Sequence, residues 1–244
     1  MVHVCWSSRS ADVSPVEWLD ETERGRFDGF PHVEDRRVFL TSRMLLKTVV
    51  GHLAETSPER VRLSYHCPGC GRSHGRPIVV APHSAARWHV SISHTGRHVM
   101  VAATDAGPVG VDVERYAATV FEGFDEVALT PVERTEVEHC PPAARDWARA
   151  TYWARKEAVL KATGYGLNVD PAALEVSAPH RPAALTAWHA GGSLPPQMQI
   201  TDILMDQDHA AAVAVMAPCP VELLWAPGSG SGQVWERHPV QPPS

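Results

Sequence analysis

Residues 144–163 read ARDWARATYWARKEAVLKAT, and Gly164 follows them. Trp147, Ala150, Ala154 and Ala158 recur at helical spacing, which predicts an amphipathic helix with a glycine stop behind it. Upstream, residues 33–54 (VEDRRVFLTSRMLLKTVVGHLA) carry Val38, Leu45, Leu46, Val49 and Leu53 in the same rhythm. Each helix is followed by a pair of strand-like runs: WHVSIS (88–93) and HVMVAAT (98–104) after the first, MQITDILM (198–205) and AAAVAVMA (210–217) after the second. Arg43–Lys47 falls on Glu157–Lys161 at an offset of 114, and His98–Ala103 on Ala210–Val215 at an offset of 112. This order predicts an internally duplicated α/β unit. The run VGVDVE (109–114) stands at the junction of the halves, and residues 1–6 alternate as an edge strand would. His94-Thr95-Gly96-Arg97 reads as a hairpin turn, and residues 66–77, HCPGCGRSHGRP, as a loop. The expected fold class is α+β, with two similar α/β subdomains in a pseudo-twofold arrangement. They span 1–107 and 108–225, and the Pro/Gly/Ser-rich residues 226–244 read as a disordered tail.

Composition narrows the function. The chain has 244 residues, 44% of them apolar and 20% charged, as in ordinary globular proteins. No apolar run reaches the ~20 residues needed to span a bilayer, and the start, MVHVCWSSRS, is not built like a signal peptide. A cytoplasmic protein without membrane contact is expected. The net charge of −6 disfavours nucleic acid as a partner. Five cysteines in no framework spacing fit reduced thiols. Arginine outnumbers lysine 19 to 3, and the lysines, Lys47, Lys156 and Lys161, all fall in the two predicted helices.

In Gly110-Val-Asp-Val-Glu114, strand alternation puts Asp112 and Glu114 on one face and Val111 and Val113 on the other, toward a core. Two adjacent carboxylates repel unless a cation neutralises them, and hard oxygen ligands suit Mg²⁺. By itself the pair also fits a solvent-facing strand. Trp153, Glu157 and Lys161 stack along one helix side, with Glu157 at the margin of the apolar arc. By themselves Glu157 and Lys161 also fit a surface ion pair. Cys67-x-x-Cys70 and His74, with His66 as a fourth ligand, invite a structural-zinc reading, beside that of a plain loop.

Taken together, Gly110-Val-Asp112-Val-Glu114 and, some 40 residues later, Trp153-Ala-Arg-Lys156-Glu157-Ala-Val-Leu-Lys161 resemble the two-part signature of the 4′-phosphopantetheinyl transferase superfamily. Ser91-Ile-Ser93-His94-Thr95-Gly96 resembles the family's serine–histidine turn, Gly75-Arg76-Pro77 its basic segment before proline, and the helix holding Arg43 its early helix. The duplicated length resembles the monomeric, Sfp-like branch. The resemblance implies transfer of the phosphopantetheine arm of coenzyme A to a serine of an apo acyl or peptidyl carrier protein, as in fatty-acid, polyketide or nonribosomal peptide biosynthesis. It implies Mg²⁺ held by Asp112, Glu114 and Glu157, and Glu157 or a metal-bound water as the base. Asp112, Lys161 and Lys156 would meet the pyrophosphate, His94 the 3′-phosphate, and Arg43 and Arg76 the nucleotide end, with Ser93 also among the coenzyme A contacts. A non-catalytic binder of coenzyme A or of carrier protein remains the competing class. Such a decayed relative would lack one of the three acids, and all three are present.

Overall fold

In the computed structural model, residues 1–8, 16–65, 71, 75–96, 98–191, 195–218, 222–227 and 236–237 are described. The Cys67, Cys70 and His74 loop lies outside them. The chain divides into two units. Met1–Asp105 and Leu223–Arg237 make the first, and the second runs over Ala106–Glu222.

The first unit contains β1 (Val2–Ser8), α1 (Glu21–Gly29), α2 (Val33–Leu53), β2 (Arg62–Ser64), β3 (Ile78–Ala81), β4 (His89–Thr95) and β5 (His98–Thr104). The periodic apolar face of α2, including Leu45, Leu46, Val49 and Val50, buries with Val90, Val99, Val101 and Ala103 of β4 and β5. The second contains β6 (Val109–Arg115), α3 (Phe124–Ala128), α4 (Pro131–His139), α5 (Arg145–Thr163), β7 (Leu174–Val176), β8 (Leu185–Trp188), β9 (Met198–Ile203) and β10 (His209–Met216). Its core joins Ala150, Ala154, Ala158 and Leu160 of α5 to Ala210, Ala212 and Ala214 of β10. Gly164 ends α5 in the left-handed conformation, φ 78°, as the glycine stop predicts.

The class is α+β, and the duplication is visible element by element. The strand orders β1-β5-β4 and β6-β10-β9 match, each antiparallel throughout. The short helices α1 and α4 both open with a capping box, Asp20 with Glu23 and Thr130 with Glu133. In each unit the glutamate of that box forms an ion pair with a lysine of the long helix: Glu23 with Lys47 at 2.6 Å, Glu133 with Lys156 at 2.5 Å. This corrects the helix register. Lys47 corresponds to Lys156, not to Lys161, because the buried pair rather than the LLK/VLK likeness marks the equivalent positions.

Four further expectations change. β1 is not an edge strand; it lies between β5 and a parallel strand, β11 (Leu223–Pro227), which β12 (Glu236–Arg237) extends. Parts of the supposed tail, Ala226–Pro227 and Glu236–Arg237, are therefore strand, and β11 belongs with the first unit. The turn between β4 and β5 is tighter than His94–Arg97: Thr95 already pairs with His98, and Gly96 has φ 51°. The run 109–114, at the junction of the halves, is the first strand of the second unit and the counterpart of β1.

Candidate active site

The acidic site lies within the second unit. Strand alternation puts Gly110, Asp112 and Glu114 on the β6 face that meets α5, while Val111 and Val113 are fully buried on the other. The absence of a side chain at Gly110 sets the helix–strand distance, since a Cβ there would overlap the Ala158 carbonyl and crowd the Ala162 nitrogen. The helix thus lies on the strand closely enough for its side chains to reach the carboxylates. Lys161 Nζ donates to Asp112 Oδ1 at 2.7 Å and to the Val111 carbonyl at 3.1 Å. In place of the surface pair with Glu157 that the i,i+4 spacing also fits, the ion pair of Lys161 among the described residues is with Asp112, which is only 5% exposed. The carboxylate pair therefore has a fixed cationic neighbour supplied by the protein itself.

Glu157 lies where a carboxylate is uncomfortable. Its Oε1 is buried without a hydrogen-bond partner among the described residues. Burial, chiefly, pushes its pKa up to about 6; Lys161 opposes the shift, and the charges of Asp112 and Glu114 add to it. Glu114 Oε1 accepts from the Arg115 backbone N–H at 2.9 Å. The ligand oxygens of Asp112, Glu114 and Glu157 do not all lie within 4.8 Å of one another. The donor set nonetheless fits a hard divalent cation. It is all oxygen, mutually repulsive, and includes a buried carboxylate oxygen that no described residue satisfies. Trp153, one turn before Glu157, is half-buried and packs edge-on against Phe124 at 5.8 Å.

Lys156 is not where the resemblance puts it. It is fully buried, paired with Glu133, and donates to the Ala128 and Pro171 carbonyls at 2.7 and 3.0 Å. With its three donors directed into the core it cannot face a phosphate. Its neighbour Arg155 is also fully buried and bridges Asp202 to the Ser177, Ala178 and Arg181 carbonyls.

The first unit has its own cavity, of about 480 Å³, lined by Arg43 and His94 together with Arg26, Phe39, Tyr65 and Gly75 among others. Ser93, beside His94, is buried. Arg76 is absent from the lining although Gly75 and Pro77 belong to it; it is exposed, and its charge adds to burial in lowering the pKa of His89. Arg26, Phe39 and Tyr65 escaped the sequence reading. Arg26 lies in the charged run ETERGRFDG of α1, where nothing in the spacing separates it from Arg24.

Comparison with known proteins agrees with this picture on both sides of the chain. Residues 108–214 match the family described as the 4′-phosphopantetheinyl transferase superfamily, and residues 5–106 that described as 4′-phosphopantetheinyl transferase, N-terminal. The chain belongs to the 4′-phosphopantetheinyl transferase superfamily. It is 26% identical over 198 residues to the 4′-phosphopantetheinyl transferase HetI of Nostoc sp., covering 81% of this chain and 78% of that protein. It is 23% identical over 232 residues to the L-aminoadipate-semialdehyde dehydrogenase-phosphopantetheinyl transferase of Rattus norvegicus, covering 84% and 71%. A crystal structure of a Bacillus anthracis holo-(acyl-carrier-protein) synthase in complex with CoA (3′,5′-ADP) is similar to it with 22% identity and a TM-score of 0.39, over 46% of this chain and 96% of that one.

Proposed function

We propose that this protein transfers the 4′-phosphopantetheine group of coenzyme A to a serine hydroxyl of an apo acyl or peptidyl carrier protein, releasing adenosine 3′,5′-bisphosphate. The observation that carries the reading is Glu157: a half-buried carboxylate with one buried oxygen that no described residue satisfies and a pKa of about 6, beside the Asp112–Lys161 pair. Such a group is ionised at neutral pH yet more basic than an ordinary carboxylate, which suits it to take the proton of a serine hydroxyl. The serine oxygen then forms the new bond to phosphorus, and the bond to the leaving bisphosphate breaks. Lys161, tethered by Asp112 and the Val111 carbonyl, supplies a fixed positive charge beside the strand. Asp112, Glu114 and Glu157 would hold Mg²⁺, which when bound neutralises charge on the pyrophosphate oxygens. Arg43 and His94, with Arg26, would receive the phosphorylated nucleotide end in the first unit's cavity. The protein would act as a monomer in the cytoplasm.

The test is mass spectrometry of a panel of apo carrier proteins incubated with coenzyme A, Mg²⁺ and this protein. Gain of one phosphopantetheine on at least one carrier is the expected result, and the panel identifies which carrier is served. No gain on any carrier, with coenzyme A still binding, would favour a non-catalytic coenzyme A protein.

A further inference from the structure

The two capping-box glutamates occupy equivalent places but have different company. Glu133 is bound by Lys156 and by the backbone N–H groups of Thr130 and Val176, all of which serve to join elements of its unit. Glu23 also has its lysine, with Lys47 Nζ at 2.6 Å from Oε2, and caps the Asp20 N–H. Its second oxygen, however, meets two residues that line the cavity. Oε1 accepts from the Tyr65 hydroxyl at 3.5 Å and lies 3.6 Å from Arg43 Nε. Glu23 itself is fully buried.

Two arginines share one aromatic cradle above this carboxylate. The Arg43 guanidinium lies 4.4 Å from the Phe39 ring centroid and 4.6 Å from that of Tyr65. Arg26 lies 5.6 and 5.1 Å from the same two rings. Burial, chiefly, disfavours the Arg43 cation, and the like charge of Arg26 adds to that; Tyr65 and Glu23 oppose both effects. Without an anion beneath it, Arg43 would have electrostatic reason to leave the cradle for solvent. Arg26 Nη1 is buried with no hydrogen-bond partner among the described residues, so the cavity presents donor capacity that those residues do not consume.

We infer that Glu23 is a positioning residue for coenzyme A: it anchors the Arg43 guanidinium between Phe39 and Tyr65 so that the cavity meets the nucleotide's phosphate with preset donors. The inference rests on the proposed transferase activity. It distinguishes Glu23 from its structural twin, since Glu133 has no arginine to hold at a cavity.

The experiment compares Glu23→Gln, Arg43→Ala, the double variant and Glu133→Gln, measuring coenzyme A dissociation constants by calorimetry, kcat and KM by transfer assay, and melting temperature. Glu23→Gln is expected to weaken coenzyme A binding about tenfold, as loss of a hydrogen-bonded charge does, while kcat at saturating coenzyme A stays within about twofold. In the Arg43→Ala background the same change is expected to add less than about twofold, the non-additivity that marks action through one residue. Glu133→Gln should lower the melting temperature without moving the dissociation constant. Unchanged coenzyme A affinity in folded Glu23→Gln, or full additivity with Arg43→Ala, would overturn the inference and leave Glu23 purely structural. Should Glu23→Gln fail to fold, the same comparison on Glu23→Asp decides: raised KM with retained kcat supports positioning, and normal KM with a lowered melting temperature refutes it. Failure of the wild-type protein to bind coenzyme A would instead strike the proposed function.

Discussion

At the scale of single residues, the scarce lysines show how burial assigns roles. All three are paired with carboxylates, but only Lys161, whose side chain is 27% exposed, is left where it can meet a substrate. Lys47→Ala and Lys156→Ala each strand a buried glutamate, and a broken buried pair costs about 3–5 kcal/mol. Lys161→Ala is expected to stay folded and lose transfer. Urea melts beside the transfer assay check the split, and a Lys47 variant with normal stability would contradict it. In Asp112→Ala, relief of repulsion with Glu114 is offset by loss of the Lys161 partner, so stability stays near wild type while transfer is lost. Glu157 is the sharper case. Its carboxyl is held above its ordinary value, at about 6, so the folded protein binds its proton more tightly than the unfolded chain does. Ionised Glu157 therefore costs stability in full above pH 6, and the cost fades as pH falls from 6 through the unfolded value near 4.5. In chelator, Glu157→Gln should melt higher than wild type at pH 8, with the gap closing by pH 4.5. Its transfer rate should fall about 10²–10⁴-fold, the loss typical of a general base. A melting gap independent of pH would count against the burial argument, and a near-normal rate against Glu157 as base.

At the scale of elements, the seam between β6 and α5 decides whether the carboxylates and the lysine can meet. Gly110 faces the backbone of α5 at Ala158 and Ala162, and backbone cannot rotate away as a side chain can. Gly110→Ala must therefore push the helix outward. Overpacking of this kind costs about 1–3 kcal/mol, and the displacement separates Lys161 and Glu157 from Asp112. The variant should lose more transfer activity than stability, which activity at a temperature well below its melting point would reveal. Full activity in folded Gly110→Ala would show that the seam is not what sets the site. The helix periodicities and the long strands were plain in the sequence because each has one apolar face. The short strands β2, β3, β7 and β8 were not, since three or four residues carry no period.

At the scale of the whole molecule, the chain's end returns to its beginning. β11 lies parallel to β1, pairing Val2 with Leu223 through Trp6 with Pro227. Ending the chain at Glu222 would uncover the β1 edge, and an unpaired strand edge invites association with another copy. The truncated protein should melt lower and aggregate with rising concentration, as light scattering would show; a monodisperse truncation with unchanged melting temperature would mean that β11 and β12 contribute nothing to the first unit.

The sequence by itself determined the duplicated α+β pattern, the two long helices, and the Gly-Val-Asp-Val-Glu and Trp-x-x-Lys-Glu segments that mark the superfamily, because periodicity and local spacing are properties of the chain alone. Tertiary structure alone decided which lysine matches which. Lys47 and Lys161 look alike in their local strings, yet it is Lys47 and Lys156 that enter the core, since the identity of a buried ion's partner depends on the helix packed across from it. The same holds for the cradle of Arg26, Phe39, Arg43 and Tyr65 over Glu23: its members come from three separate segments, and nothing in their spacing shows that the fold would stack two cations above one carboxylate.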